Sequence, residues 1–382
     1  MRKLSIALGI AVAASSATLG GCGSGHSAGA VAGHVTESFQ SVPGEPFGVV
    51  TTRDGRYAFL DLATGQVLVY SVTGSVPHLV RTIAVPGSAI GSSLTRDGRL
   101  LLVANAQGAT VISVARAEHG DSNPVLGSLV PSATANLQPN GAIETASSAD
   151  GRYVFVSLEY GNPDGVIAVY DLGSTLAPRF GASDYVGVIP LGEAVVGSVL
   201  SPNGRYLYVT SEGGASKSHD GTLSVINVAT AEHDPAKAVV ATVPAMLQPV
   251  RVALSPDGSV AWVTARASNR LLGFSTSRLL SDPTHALVAN VKVGTAPVGV
   301  AVFDHGDRVI VADSNRFNQT GAHSALTIVS TTDALAHQSA VISTVRAGGF
   351  PREMAVERND TTVLVSNFAS DQLESVSTAG LR

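Results

Sequence analysis

Apolar residues along this chain gather in short runs rich in Val, Ile, Leu and Tyr, each bounded by Gly, Pro, Asp, Asn or Ser. Such runs predict β-strands, and after Leu19 no stretch sustains the i, i+3, i+4 apolar spacing of an amphipathic helix. One piece recurs, a turn leading into an apolar run. It reads Arg53-Asp54-Gly55-Arg56-Tyr57, Arg96-Asp97-Gly98-Arg99-Leu100, Ala149-Asp150-Gly151-Arg152-Tyr153, Pro202-Asn203-Gly204-Arg205-Tyr206 and Pro256-Asp257-Gly258-Ser259-Val260. Two degenerate copies follow, Asp304-His305-Gly306-Asp307-Arg308 and Arg358-Asn359-Asp360-Thr361-Thr362. Glycine suits the turn because it takes a left-handed backbone without a Cβ clash.

The turn glycines, with Asp360 in the last slot, are spaced 43, 53, 53, 54, 48 and 54 residues apart. A period of this size marks a repeat architecture. Each unit reads as four strands. In the fifth these are Val250 to Leu254 (A), Val260 to Thr264 (B), Arg270 to Phe274 (C) and Ala286 to Val293 (D). Seven four-stranded units repeated radially predict an all-β fold, a seven-bladed β-propeller with antiparallel blades. The last unit ends at Arg382 without a D strand, while Val35 to Val42 precedes the first A strand as an orphan. This N-terminal strand is expected to complete the last blade, closing the ring and removing an exposed sheet edge.

Ser255-Pro256-Asp257-Gly258, Ser201-Pro202-Asn203-Gly204-Arg205-Tyr206-Leu207-Tyr208-Val209-Thr210 and Pro297-Val298-Gly299-Val300-Ala301-Val302 resemble the bacterial YVTN β-propeller repeat family, which is similar to the lactonase-type seven-bladed propellers. The resemblance covers residues 35–382 and implies the same fold. Its motifs are structural and imply no activity of their own. The Gly-His and Trp-Asp pairs of WD40 repeats are missing, and the one tryptophan, Trp262, excludes a tryptophan-rich quinone-cofactor propeller.

Composition narrows the classes further. Of 382 residues, 45% are hydrophobic and 14% charged, which excludes a disordered chain. The formal charge of −5 argues against nucleic acid as a partner, and aromatics at 5% leave few platforms for stacking sugars or bases. A single cysteine excludes a disulfide framework and a cysteine zinc site. It sits in Leu19-Gly20-Gly21-Cys22, after Arg2, Lys3 and an apolar run from Leu4. This resembles a bacterial lipobox, with Cys22 as the lipidated first residue of the mature protein. Residues 1–21 are then a signal peptide, 22–33 a Gly/Ser/Ala tether and 34–382 the propeller. The expected location is extracytoplasmic, on the bacterial cell membrane, as a monomer held through Cys22. Loss of Arg2 and Lys3 takes the charge to −7. Gly25-His26-Ser27-Ala28-Gly29 matches G-x-S-x-G but lies in the tether, away from the strand-to-helix turn that motif needs.

Aligning the A strands by their turns yields two slots. One holds Phe47, Ile90, Ile143, Val196, Val250, Val298 and Arg352, apolar except for the last. The next holds Gly48, Gly91, Glu144, Gly197, Arg251, Gly299 and Glu353. Successive side chains alternate faces, so the apolar slot should pack between blades and the second should face the channel. Glu144, Arg251, Arg352 and Glu353 are therefore the candidate catalytic residues. They form either an anion-binding or acid/base site, with arginine orienting a carboxylate or phosphate, or a salt-bridged plug. Gly349-Phe350-Pro351-Arg352-Glu353 and Val363-Leu364-Val365-Ser366-Asn367 resemble a late lactonase-family motif. That similarity implies a hydrolase, but no A strand carries a histidine.

The B–C loops Glu159 to Gly165, Glu212 to Gly221 and Asp313 to Ala325 are long and share one rim. Asp313, Asn315, Arg316 and Asn367 are the candidate binding residues there. Asp313 and Asn315 lack the remaining ligands of a calcium loop, and no paired-histidine spacing supports another metal. No cofactor is implied. The expected function is a non-catalytic binding scaffold of the cell envelope, with an envelope protein or a small anion as partner. The alternative is a lactonase-like hydrolase using the channel residues.

Overall fold

A computed structural model describes residues 35–105, 108–132, 140–160, 164–173, 180–213 and 220–381. The expected signal peptide, Cys22 and tether lie outside the described residues, as do parts of the B–C loops of blades three and four.

Seven four-stranded antiparallel sheets follow one another around a ring. Six run A-B-C-D in chain order, and the seventh takes its outer strand from the N-terminus. Thr36–Ser41 pairs with Gln372–Ser377 from Thr36 opposite Ser377 to Ser41 opposite Gln372. Val42 N–H then bonds the Asp371 carbonyl at 2.9 Å, and Val42 enters the core shared by blades seven and one. The predicted closure is therefore present.

Each A–B turn works as the repeat implied. Gly55, Gly98, Gly151, Gly204 and Gly258 have φ between 71° and 74°, Gly306 has φ 100°, and Asp360 takes φ 58° in the last slot. The residues before the glycine close the turn. Thr52 Oγ1 donates to Asp54 Oδ1 at 2.6 Å, and Asp54 Oδ1 accepts the Arg56 N–H at 3.0 Å. Ser255, Asp257 and Ser259 repeat those contacts at 2.6 and 3.0 Å.

The core lies between blades. Phe59, Val67 and Val69 of blade one pack with Leu101, Val103 and Ile112 of blade two, and similar clusters fill the other junctions. Strands B and C are covered on both faces, so Leu100–Asn105 is buried throughout and its sequence does not alternate. Outer strands have one wet face, and Val341–Arg346 alternates in exposure.

Among the described residues, four short helices between strands C and D were not expected: Val114–His119, Val228–Ala231, Thr276–Ser281 and Thr331–Leu335. Each is capped by the last residue of strand C, Ser113, Asn227, Ser275 or Ser330, whose side chain accepts an N–H of the first turn. These pieces are too short to show a helical apolar period.

Hydroxyls on strand B stitch neighbouring blades. Thr210 Oγ1 accepts the Gly197 N–H at 3.0 Å and donates to the Val250 carbonyl of the next blade at 2.7 Å. Ser157, Thr264 and Ser366 do the same toward Val196, Val298 and Phe47. Blade one has Asp61 at this position, fully buried, with neither carboxyl oxygen bonded.

Candidate functional site at the channel mouth

The two A-strand slots sit on a β-bulge. Register shifts there in blade one between Pro46 and Val49, in blade five between Pro249 and Val252, and in blade seven between Pro351 and Met354. A bulge re-aims the side chains it carries. Ile143, Val196, Val250 and Val298 of the apolar slot pack against one another from blade to blade, joined by Phe350. The glycines of the next slot have a steric cause. A Cβ on Gly197 would lie 2.4 Å from the Val250 carbonyl oxygen, and one on Gly299 would lie 2.3 Å from that of Arg352.

The three charged residues of that slot converge from blades three, five and seven. Arg251 is only 6% exposed. Its Nε bonds Glu353 and lies 3.5 Å from Glu144 Oε2. Burial raises the Glu144 carboxyl above its ordinary range, opposed by the Arg251 charge. The structure thus brings Glu144, Arg251 and Glu353 together as an ion triad in which the arginine holds both acids.

Arg352 does not join them. It makes no ion pair with any described carboxylate. Its guanidinium carbon lies 3.6 Å from the ring centre of Phe47, 4.7 Å from that of Phe350 and 5.3 Å from that of Phe368. Its Nε is buried and unbonded. Burial pushes its pKa down to about 9, with the Arg251 charge acting the same way. Arg352 therefore departs from the expected four-residue cluster, because an aromatic wall takes it.

Above this wall lie the B–C loops. Arg316 is exposed, with its guanidinium carbon 5.3 Å from the ring centres of both Phe350 and Phe317. Arg266, in the loop of blade five, bonds Glu212 through both terminal nitrogens, at 2.9 and 2.5 Å. Phe317 is 52% exposed and Tyr160 is 57% exposed, with the Tyr160 hydroxyl donating to Glu159 at 3.1 Å.

The other candidate binding residues face inward. Asp313 is fully buried and accepts the Thr327 hydroxyl at 2.5 Å, with burial pushing its pKa up to about 7. Asn367 is fully buried and donates to Glu374 at 2.7 Å. Asn315, with φ 42°, closes its own loop by donating to the Ala322 carbonyl at 3.1 Å and accepting the Gln319 N–H at 3.0 Å. Of the four, Arg316 alone is exposed on the rim.

Sequence reasoning passed over Phe47, Phe350, Phe368 and the Glu212–Arg266 pair. Phe350 precedes the strand Pro351–Val356 and Phe368 follows its antiparallel partner Thr362–Asn367, so both rings sit at one end of that hairpin, which was the available signal. Among the described residues, no three His, Cys, Asp or Glu side chains group as metal ligands. No helix among them is long and apolar enough to cross a membrane.

Scanning against family models gives no match, and no curated protein matches in sequence. Solved structures do match in shape. Hydrazine synthase of Kuenenia stuttgartiensis superposes with a TM-score of 0.69 at 15% identity, over 93% of this chain and all of that one. The β-propeller domain of Cps50 (Swd1) from Myceliophteria thermophila gives 0.65 at 12% identity, over 90% of this chain and 99% of that one. The chain is a seven-bladed β-propeller. At these identities the likeness concerns the fold alone, and propellers host many functions.

Proposed function

We propose that this propeller is a non-catalytic binding scaffold of the bacterial cell envelope, of the YVTN type, anchored through lipidated Cys22 and working through its B–C loop rim. The observation that carries this reading is the state of the channel acids. Arg251 bonds Glu353 and lies against Glu144, so the two carboxylates are spent on a buried ion network. No described A strand brings a histidine beside them.

The placement of the N-terminal strand supports the working face. Thr36 lies opposite Ser377, at the end of strand C that adjoins the A–B turns. The chain therefore enters on the side opposite the B–C loops. A Gly/Ser/Ala-rich stretch of a dozen residues has a reach of about 20 Å by composition alone. With the anchor we propose at Cys22, the rim would face away from the membrane.

The test combines anchoring and turnover. In bacterial cells, Cys22→Ala is expected to move the protein from the membrane to the soluble fraction. The full chain is expected to show no turnover on a panel of lactones and small esters. Turnover abolished by both Glu144→Gln and Arg352→Ala would overturn the scaffold reading in favour of a lactonase-like hydrolase.

A further inference from the structure

The geometry points to an oxyanion site at the channel mouth, in which Arg352 and Arg316 together take the carboxylate or phosphate of a small organic ligand. This deepens the scaffold reading, since it assigns a ligand class to the same rim.

Among the described residues, four arginines crowd this end of the channel, and they divide into two kinds. Arg251 and Arg266 are spent on Glu353 and Glu212. Arg352 and Arg316 have no ion-pair partner and no side-chain hydrogen bond among the described residues. Both flank one ring, Phe350, at 4.7 and 5.3 Å from its centre. Two unneutralised cations held this close repel each other, and an anion between them removes that repulsion.

The rings also decide what Arg352 can do. A guanidinium stacked on an aromatic face keeps its N–H donors, which point outward in its own plane. Phe47, Phe350 and Phe368 thus hold the Arg352 guanidinium in place, and no described residue bonds its terminal nitrogens, which leaves the fork for a bidentate oxyanion. The Arg251 Nη2 is a further buried donor without a partner in the same channel. Fixing the fork in advance lowers the ordering cost of binding. The exposed rings of Phe317 and Tyr160 supply apolar surface for the remainder of the ligand. A small molecule with an oxyanion at one end and an apolar body fits both features.

The experiment is calorimetric titration of the full chain in non-ionic detergent, at fixed ionic strength, with benzoate, phenyl phosphate and inorganic phosphate as probes. Saturable binding is expected, with phenyl phosphate and benzoate separating the two headgroup chemistries. Arg352→Gln and Arg316→Gln should each weaken it at least tenfold. Arg352→Lys, which keeps the charge and loses the fork, should weaken it by about tenfold. A second readout separates a binding role from a structural one. Without ligand, Arg352→Gln should melt at or above the wild-type temperature, because it removes an unpaired buried cation. Lack of saturable binding to all three probes would overturn the inference, as would binding unchanged in Arg352→Gln or a markedly lower melting temperature for that variant. A failure here leaves the anchoring and turnover results, and hence the scaffold reading, untouched.

Discussion

Thr264 Oγ1 donates to the Val298 carbonyl at 2.6 Å, tying blade five to blade six through a single buried hydroxyl. The same oxygen accepts the Arg251 N–H at 3.1 Å, so one side chain satisfies two buried backbone groups of the bulge. Thr264→Val keeps the shape and leaves both groups unbonded. A loss of about 1–3 kcal/mol is expected, read by urea unfolding.

Asp61 holds in blade one the strand-B position that Thr264 holds in blade five. Both of its oxygens are buried and unbonded, and burial holds its pKa well above the usual carboxylate range. A Gly48 Cβ would lie 2.3 Å from Asp61 Oδ2 and 2.5 Å from the Ile90 carbonyl oxygen, so the slot beside the acid has no room for a side chain. The acid form suits that place, because a buried carboxylate with no cation beside it is costly. Asp61→Thr is expected to raise the melting temperature, and to raise it more at pH 8 than at pH 5.

Among the described residues, Arg251 is the one cation that pairs with Glu144 and Glu353. Arg251→Gln leaves two buried acids facing each other. Removing one partner of a buried ion network costs about 3–5 kcal/mol. Arg251→Gln combined with Glu353→Gln should recover part of that loss in a double-mutant cycle.

Stability should fall as pH rises toward neutrality. Asp313 and Glu374 have pKa values raised by burial to about 7. Between the unfolded value near 4 and the folded one, the native state holds protons that the unfolded chain releases. Each such group then removes at most ~1.4 kcal/mol per pH unit across that window. Asp54 and Asp257 act oppositely. Hydrogen bonds from Thr52 and Ser255 lower their pKa values, so their contribution is present above the ordinary carboxylate value and is lost in acid. A melting curve that is higher at pH 5 than at pH 8, and flattened by Asp313→Asn, is the expected outcome.

Deleting residues 34–43 removes the strand that completes blade seven and bares the edge of Gln372–Ser377. Aggregation or a large loss of stability is expected in size-exclusion chromatography and thermal melts. A monomeric product of unchanged stability would show that the ring does not depend on this closure.

The repeat was legible in the sequence because its signals are local. A positive φ needs glycine, or Asp360 in the last turn, and a strand covered on both faces needs an unbroken apolar run. Period and count followed from those turns, and the orphan strand marked the closure. The capped helices stayed hidden, since a single turn after Ser275 or Ser330 is too short to show a period.

The site divides along the same line. Slot alignment named Glu144, Arg251 and Glu353, because an odd charge among glycines stands out along the chain. It grouped Arg352 with them because position alone cannot tell which neighbour a side chain meets. Phe47, Phe350 and Phe368 come from the two ends of the chain, and only closure of the ring brings them around Arg352. Local sequence determined the blades, the turns and the channel charges. The tertiary structure decided which charges neutralise one another and which are left for a ligand, because that depends on distances between blades that no single repeat contains.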